Sequence, residues 1–334
     1  MVTNRIYDLQ QQVIPLTLFG INEPQPGARW QALFQATWPA YRRWYFSAGE
    51  RPDRQSAQAE LAKHMPELMS TYHRLVALTG DDPAAARMLT LWDPPRFLPG
   101  CSQVALTLPE PILCRNYDYA PELLESVVYS SQFTKRKVIG MGDCLWGLLD
   151  GMNDSGLAVS LAYGGLPGSK PGFAIPIVVR YLLEVADDVE QACEILKRLP
   201  ISMSYNLTMV DTHGAAVTAF VAPDRDPEFR SDSFATNQRC AVPDYPKHAA
   251  RFRSSERREF LADLSLSSPD PNVVAKAFLA DPLYSRDYKR AFGTLYTALY
   301  RPADGRVDYI WPDRVWSRSF DDPDEIVSVD LRGG

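Results

Sequence analysis

The chain changes its pattern abruptly at Pro99-Gly100-Cys101, and this change constrains the fold more than any other feature of the sequence. Before it, segments 29–46 and 55–78 carry apolar residues at three- and four-residue steps, which is typical of amphipathic helices. After it, short apolar runs alternate with turn sequences, beginning with QVALTL and ILCRN on either side of Pro109-Glu110-Pro111. Strands joined by such short turns form antiparallel sheets. The sequence therefore predicts a helical leader followed by a sheet-rich body.

The body continues in blocks of strands and helices. Strands are predicted at 126–130, 145–149, 156–162, 207–210 and 216–221, helices at 175–184, 187–198, 246–264 and 271–280, and a closing hairpin at 294–300 and 307–311. Asp188 has the character of a helix cap. Strand pairs followed by helices fit stacked antiparallel sheets with helices on the outer faces better than a doubly wound parallel sheet.

Composition and charge exclude several classes of function. The formal net charge of −6 argues against broad attraction to nucleic acid or anionic membranes. No run approaches the ~20 apolar residues that cross a bilayer, and the opening MVTNRIYDLQQQVIPLTLFG does not have the form of a signal peptide. The five cysteines lack paired spacing, which fits reduced thiols, and the four histidines lack the spacing of a zinc site. We expect a soluble cytoplasmic protein without metal or cofactor.

The Gly100-Cys101 junction suggests a reaction. Glycine leaves its own carbonyl sterically open and tolerates unusual backbone angles. The neighbouring thiol could attack this carbonyl, and water would open the thioester to give a new chain that begins at Cys101. The new α-amine, with a reference pKa of ~8, would then accept the thiol proton as a histidine does in other enzymes. Taken alone, a Gly-Cys pair more often contains a buried structural cysteine.

Further motifs follow the cysteine in a fixed order. They are Arg115-Asn116-Tyr117-Asp118, the turn from Asp150 to Leu157 that leads into a strand ending near Tyr163, Ala235-Thr236-Asn237, and Tyr309-Ile310-Trp311-Pro312 with Trp316. This ordered set, over about residues 88–320, resembles the linear-amide hydrolases of the N-terminal-nucleophile superfamily. These include choloylglycine hydrolases, penicillin V acylases and, above all, the acyl-coenzyme A:6-aminopenicillanic acid acyltransferases.

The resemblance implies a fold, a division of the chain and an activity. The fold would be α+β, a four-layer αββα sandwich of two antiparallel sheets with a helical leader. Residues 1–100 would form the leader, which becomes a small chain after self-cleavage, and residues 101–334 the catalytic domain. The activity would be hydrolysis or acyl transfer at linear, non-peptide amide bonds. The substrate would be a small amide or acyl thioester, and the oligomeric state stays open, a homo-oligomer included.

The resemblance also assigns roles to the first three site residues. Cys101 falls at the nucleophile position. Asp118 would bind the new α-amine, and Arg115 would support the thiolate and the substrate. A salt bridge at a strand end is the structural alternative for the Arg115 and Asp118 pair.

Three more positions complete the implied site. The Asn237 amide would donate to the oxyanion, and the backbone N–H of Tyr163 would be the second donor. A turn asparagine and a strand end are the structural alternatives for these two residues. Arg257 best matches the spacing of an active-site arginine, but Arg253 and Arg258 compete for this role on the same predicted helix.

Two other functions stay open. The chain could be a conventional cysteine–histidine hydrolase or thioesterase that pairs Cys101 with His213 or His248. It could also be a non-catalytic binding protein that keeps the same fold.

Overall fold

The computed structural model describes residues 13–47, 49, 51–96, 100–267 and 269–333. In the described part of the leader, one strand precedes four helices. These elements are β1 (Val13–Asn22), α1 (Ala28–Phe46), α2 (Arg54–His64), α3 (Met69–Leu78) and α4 (Pro83–Leu89).

The body begins with six strands and continues with alternating helices and strands. The first strands are β2 (Gly100–Leu106), β3 (Ile112–Tyr119), β4 (Val127–Ser131), β5 (Val138–Asp143), β6 (Gly147–Asn153) and β7 (Ala158–Tyr163). There follow α5 (Ile175–Val185), α6 (Val189–Leu196), β8 (Tyr205–Val210), β9 (Ala216–Ala222), β10 (Arg225–Arg230) and β11 (Phe234–Ala235). The last elements are α7 (Pro246–Arg251), α8 (Ser254–Leu266), α9 (Pro271–Phe278), β12 (Arg286–Asp287), β13 (Phe292–Arg301), β14 (Arg306–Trp311), β15 (Arg314–Ser319) and β16 (Glu325–Arg332).

The strands of the described residues form two sheets. The first has nine strands in the order β10-β9-β8-β7-β6-β5-β4-β1-β16. The second has seven: β11-β2-β3-β13-β14-β15 in order, with β12 paired to β13. Neighbouring strands are antiparallel, except that β1 runs parallel to β4. The strands that line the centre, such as β7 and β8, are buried along their whole length, as expected for sheets covered on both faces.

The two sheets face each other and carry helices on their outer sides. Strands β2 and β3 pack against β7 and β8, α5 and α6 cover the nine-stranded sheet, and α8 and α9 cover the seven-stranded sheet. Between the sheets, the buried Gln103 amide donates to the Asn206 carbonyl at 3.1 Å and to Thr208 Oγ1 at 2.8 Å, while Ser160 Oγ donates to Gln103 Oε1 at 2.8 Å. The predicted four-layer αββα sandwich is confirmed.

Capping and proline explain where the helices begin and break. Asp188 caps α6 by accepting the Gln191 N–H at 2.8 Å, as predicted. The single helix expected over 55–78 is wrong, because α2 ends at His64 and α3 starts at Met69 beyond Pro66, which has no N–H for the helix ladder. The helix expected over 246–264 is also divided, at Arg253, whose φ of 49° is left-handed. No helix within the described ranges combines the length and apolar character needed to span a membrane.

The leader is not wholly helical, which corrects the expectation from the sequence. Strand β1 lies inside the nine-stranded sheet between β4 and β16, with a register of Leu18 opposite Val327. Its buried positions alternate through Leu16, Leu18 and Gly20, the period of a strand with one face in the core. The boundary predicted at Gly100 stays a prediction, and it coincides with the start of β2.

Candidate active site

The pairing of β2 with β3 sets the geometry around Cys101. Gln103 lies opposite Arg115, and Gly100 lies opposite Asp118. Because side chains alternate along a strand, Cys101 and Arg115 share the face of Gln103, which looks toward the nine-stranded sheet. Asp118 lies on the opposite face, toward the helices of the outer layer.

Three polar atoms of Cys101 are bound by three different side chains. Arg115 Nη2 donates to Sγ at 3.1 Å, the backbone N–H donates to Asn237 Oδ1 at 3.1 Å, and Arg257 Nη1 donates to the backbone carbonyl. The thiol is fully buried, and this burial raises the pKa of Cys101 to about 11, although the charge of Arg115 acts in the opposite direction. In the intact chain the thiol is therefore protonated at neutral pH.

Asp118 is a buried carboxyl group with one oxygen satisfied and one not. Oδ1 accepts a hydrogen bond from Thr294 Oγ1 at 2.7 Å. Oδ2 has no hydrogen-bond donor among the described residues, and Arg257 Nη1 approaches it at 4.0 Å. Burial raises the pKa of Asp118, while the charge of Arg257 opposes this shift. Asp118 Oδ2 is therefore an acceptor that could bind an additional donor near Gly100, the residue opposite Asp118.

Arg257 binds several groups around the cysteine at once. It is 1% exposed, on the first turn of α8. Besides the Cys101 carbonyl, Nη1 donates to Ser102 Oγ at 2.9 Å, Nη2 to Asn237 Oδ1 at 2.8 Å and Nε to the Phe252 carbonyl at 2.8 Å. Burial lowers the pKa of Arg257, opposed by the charge of Asp118. A guanidinium group can bind all these acceptors together because its N–H donors lie in one plane in a rigid arrangement.

The two competing arginines point elsewhere. Arg253 is exposed and forms ion pairs with Glu256 and Asp281. Arg258 lies 3.6 Å from Asp232. The structure therefore brings Arg257 to Cys101 and leaves the other two outside the site.

Asn237 and Tyr163, which the sequence assigned to the oxyanion, also lie together. Asn237 Nδ2 donates to the Tyr163 carbonyl at 3.1 Å. Tyr163 ends β7 and is buried, and its hydroxyl donates to the Leu166 carbonyl at 2.7 Å. The next loop approaches closely at Gly165, where φ is +82° and a Cβ would lie 2.4 Å from the Asn237 carbonyl oxygen. Glycine is needed at that point of the loop.

Asp150 is a member of the site that the sequence did not indicate. It is fully buried in β6, and its Oδ2 accepts from Arg115 Nη1 at 2.6 Å. The hydroxyls of Tyr296 and Tyr300 also donate to this carboxylate. Arg115 Nη1 additionally donates to the Leu149 carbonyl at 2.8 Å. Asp150 therefore anchors the guanidinium group that contacts the thiol.

The role of Gly100 is spatial. A Cβ at this position would lie 2.6 Å from Cε2 of Phe292, closer than real Cβ contacts allow. The guanidinium group of Arg257 lies over the ring of Phe292, with 5.4 Å between Arg257 Cζ and the ring centroid. Glycine is therefore required before Cys101 so that this ring can pack against the strand.

Comparison with known proteins identifies the family. The sequence model of the acyl-coenzyme A:6-aminopenicillanic acid acyl-transferase family matches residues 107–316, more than half of the chain. The chain belongs to this family. The resemblance to this family stated from the motifs is thereby confirmed. The matched region of the acyl-transferase family begins just after Cys101 and contains the other five predicted site residues.

Three solved structures are similar to parts of this chain. Penicillin V acylase from Agrobacterium tumefaciens is 14% identical with a TM-score of 0.45, over 70% of this chain and 91% of that chain. A mutant of the conjugated bile acid hydrolase from Clostridium perfringens is 14% identical with a TM-score of 0.45, over 69% and 96%. The Caenorhabditis elegans ortholog of N-acylethanolamine-hydrolyzing acid amidase is 17% identical with a TM-score of 0.46, over 65% and 98%. No curated protein sequence matches the chain.

Neither of the two histidines considered as partners of Cys101 forms a hydrogen bond with the thiol among the described residues, where Arg115 is the donor to Sγ. His213 is exposed in the turn between β8 and β9. His248 packs between the rings of Phe252 and Tyr163, at 4.5 and 4.9 Å, and neither ring nitrogen has a hydrogen-bond partner in the part of the chain that the structure describes. Burial lowers the pKa of His248 to about 4. Across the same described segments, no three His, Cys, Asp or Glu side chains gather as metal ligands.

Proposed function

We propose that the chain is an amide hydrolase or acyltransferase with Cys101 as its nucleophile, acting on linear non-peptide amides after cleaving its own Gly100–Cys101 bond. One observation carries the proposal. The thiol, the amide N–H and the carbonyl of Cys101 are each bound by a different residue of the set chosen from the sequence. A structural cysteine has no need of two buried arginines and an asparagine around its three polar atoms.

Self-cleavage would proceed as an acyl shift from nitrogen to sulfur. Cys101 Sγ attacks the carbonyl carbon of Gly100, the C–N bond breaks, and the thiol proton ends on the released α-amine. A thioester then joins Gly100 to Sγ. Water hydrolyses this thioester, which releases the Gly100 carboxylate and regenerates the thiol. Arg115 favours the thiolate needed for the attack, because an opposite charge in contact lowers the cost of ionising a buried group.

Asp118 would favour the cleaved state. In the intact chain its Oδ2 is buried without a hydrogen bond from any described residue, and such an unsatisfied group costs about 1–3 kcal/mol. Cleavage creates an α-ammonium group on Cys101, directly after Gly100, which lies across the strand pair from Asp118. This group brings both a positive charge and three N–H donors, so it can satisfy the free oxygen.

Turnover would use the same residues again. The thiolate attacks the amide carbonyl of the substrate, and the α-amine carries the proton from the thiol to the departing amine. The Asn237 side chain and the Tyr163 N–H would stabilise the negative oxygen of the tetrahedral intermediate. In the intact chain Asn237 Nδ2 donates to the Tyr163 carbonyl instead, so this amide would have to exchange that acceptor for the oxyanion. Water completes hydrolysis of the acyl-enzyme, or a second amine accepts the acyl group.

Mass spectrometry of the purified protein beside Cys101→Ala tests the proposal. Cleavage gives a fragment of about 11 kDa, the share of 37.5 kDa carried by 100 of 334 residues, and one of about 26 kDa that begins at Cys101. Cys101→Ala should stay intact. Wild-type protein that remains whole and yet turns over an amide refutes the scheme. Loss of activity on replacing both His213 and His248 by alanine, in a protein that still folds, would favour the cysteine–histidine alternative instead.

A further inference from the structure

The leader helix α1 holds one turn of the body by two hydrogen bonds. This turn joins β5 to β6, and its residues Cys144 and Leu145 have φ values of +57° and +74°, a left-handed conformation that costs energy for residues other than glycine. The indole of Trp30 donates to the Leu145 carbonyl at 2.8 Å. The Cys144 N–H donates to the hydroxyl of Tyr41 at 3.0 Å. Contacts with the leader therefore support a strained conformation in the body.

Two carboxyl groups of the body meet the same Tyr41 hydroxyl. Glu125 Oε1 lies 2.8 Å from it, and Asp143 Oδ1 lies 3.4 Å from it. Glu125 Oε1 also accepts the Leu145 N–H at 2.8 Å. A hydroxyl has one proton, so Tyr41 can donate to one of the two carboxyl groups. The approach to the other is attractive only when that carboxyl group carries a proton and donates to the tyrosine oxygen.

The other ionisable groups around the pair do not neutralise it. Those that interact electrostatically with the pair are Cys144, Tyr117, Tyr119 and Tyr205, and Arg180 lines a small cavity together with Glu125. Arg180 is the cation in this set, and its guanidinium group is bound to Glu184, to Ser131 and to the Trp146 carbonyl. Among the residues that the structure describes, no positive charge forms an ion pair with Glu125 or Asp143.

We propose that Tyr41, Glu125 and Asp143 form a proton-dependent latch between the leader and the body. The latch is closed while the two carboxyl groups hold at least one proton between them. It loosens when both are ionised, because two negative charges then face one hydroxyl without a cation. The proposal concerns the intact chain and does not depend on the chemistry at Cys101.

The direction of the pH dependence follows from the burial of the pair. Burial raises the pKa of Glu125 to about 8, with a further contribution from Asp143, and burial raises the pKa of Asp143 to about 6. In an unfolded chain both groups would titrate near pH 4. The folded state therefore holds protons that the unfolded state releases, so this contribution to stability is complete below about pH 4 and is lost as pH rises through about 6 to 8.

Hydrogen exchange in the full-length Cys101→Ala chain tests the latch, since this background excludes cleavage by the thiol. The amides of Cys144 and Leu145 are followed at about pH 5 and about pH 9, with rates divided by the intrinsic exchange rate at each pH. We expect their protection to fall at least tenfold toward high pH. Glu125→Gln should keep high protection at both pH values, because the glutamine oxygen still accepts from Tyr41 and Leu145 but carries no charge. Asp143→Asn gives the same test if the first variant folds poorly.

Two further variants separate the latch from general effects of pH. Tyr41→Phe removes the bridging hydroxyl, so protection should already be low at about pH 5. Glu67→Gln is the matched control, because Glu67 of the leader also accepts from a tyrosine of the body, Tyr181, at 2.7 Å, but has no second carboxyl group at that hydroxyl. This control should keep the tenfold fall. Unchanged protection across the pH range in Cys101→Ala, or an undiminished fall in both Glu125→Gln and Asp143→Asn, overturns the proposal.

Discussion

Arg257 shows what a single side chain contributes to the proposed site. Its guanidinium group binds the Cys101 carbonyl, Ser102 and Asn237 together, whereas a lysine at this position would offer one compact charge in place of the fork. Arg257→Lys should therefore slow self-cleavage by about 100-fold or more, the scale on which loss of a fixed donor acts. The half-time of fragment appearance measures this. Arg253→Lys and Arg258→Lys are matched controls, and equal slowing in all three variants would contradict the assignment.

Asp150 permits a second prediction on single residues, concerning stability. Its carboxylate pairs with Arg115 where both side chains are fully buried, so Asp150→Asn leaves a buried guanidinium group without its counter-charge. We expect the free energy of unfolding to fall by about 3–5 kcal/mol. Asp187→Asn breaks a partly exposed pair with Arg136 and should cost about 0–1 kcal/mol. Urea unfolding in the Cys101→Ala background measures both variants. Equal losses of unfolding free energy would show that the buried pair stabilises the fold no more than the exposed pair does.

At the scale of elements, strand β2 depends on the absence of a side chain at Gly100. Gly100→Ala would place a methyl group 2.6 Å from the Phe292 ring, and such overpacking costs about 1–3 kcal/mol. Displacement of the strand should also slow self-cleavage, because the carbonyl of Gly100 is the proposed target. The double variant Gly100→Ala with Phe292→Leu should recover most of both losses if space is the cause. Failure to recover in spite of normal folding would indicate that backbone freedom at Gly100 matters instead.

Local sequence patterns predicted most helices and strands, but they did not predict strand pairing between distant parts of the chain. Helix α5 and the closing hairpin follow from hydrophobic period and turn residues that are close in sequence. Strand β1 was missed although Leu16, Leu18 and Gly20 alternate with exposed residues, because its partner β16 lies at the other end of the chain. A strand at the start of a leader gains its stability from that distant partner, and the local alternation does not show which strand the partner is.

The candidate site shows the same division. Cys101, Arg115 and Asp118 could be predicted from the family resemblance, and they lie on β2 and β3, which are adjacent in the chain and pair through a short turn. The role of Asp150 could not be predicted in this way, because it depends on contacts with Tyr296 and Tyr300, which lie on a strand of the other sheet. Two tyrosines four residues apart on one strand face are a signal for a buried acceptor, but the sequence does not say which acceptor. The roles of all these residues in catalysis stay predictions.

For the whole molecule, the position of β1 decides what happens to the leader after cleavage. Strand β1 is hydrogen-bonded on both sides, to β4 and to β16, and the helices that follow bury large side chains such as Trp30, Tyr45 and Tyr72 completely. Breaking the peptide bond at Gly100 removes none of these contacts. We therefore expect the fragments of about 11 and 26 kDa to elute together in size-exclusion chromatography and to separate in denaturant.

A substitution inside β1 makes this expectation specific. Leu18 is fully buried in the nine-stranded sheet, whereas Thr17 on the same strand is exposed. Leu18→Asp places a carboxylate in the core without a partner, which costs several kcal/mol, and Thr17→Asp places the same group in water. After cleavage, the Leu18→Asp leader should separate from the body in native buffer, while the Thr17→Asp leader should stay bound. A wild-type leader that leaves without denaturant would mean that the intact peptide bond, and not the shared sheet, holds the two parts together.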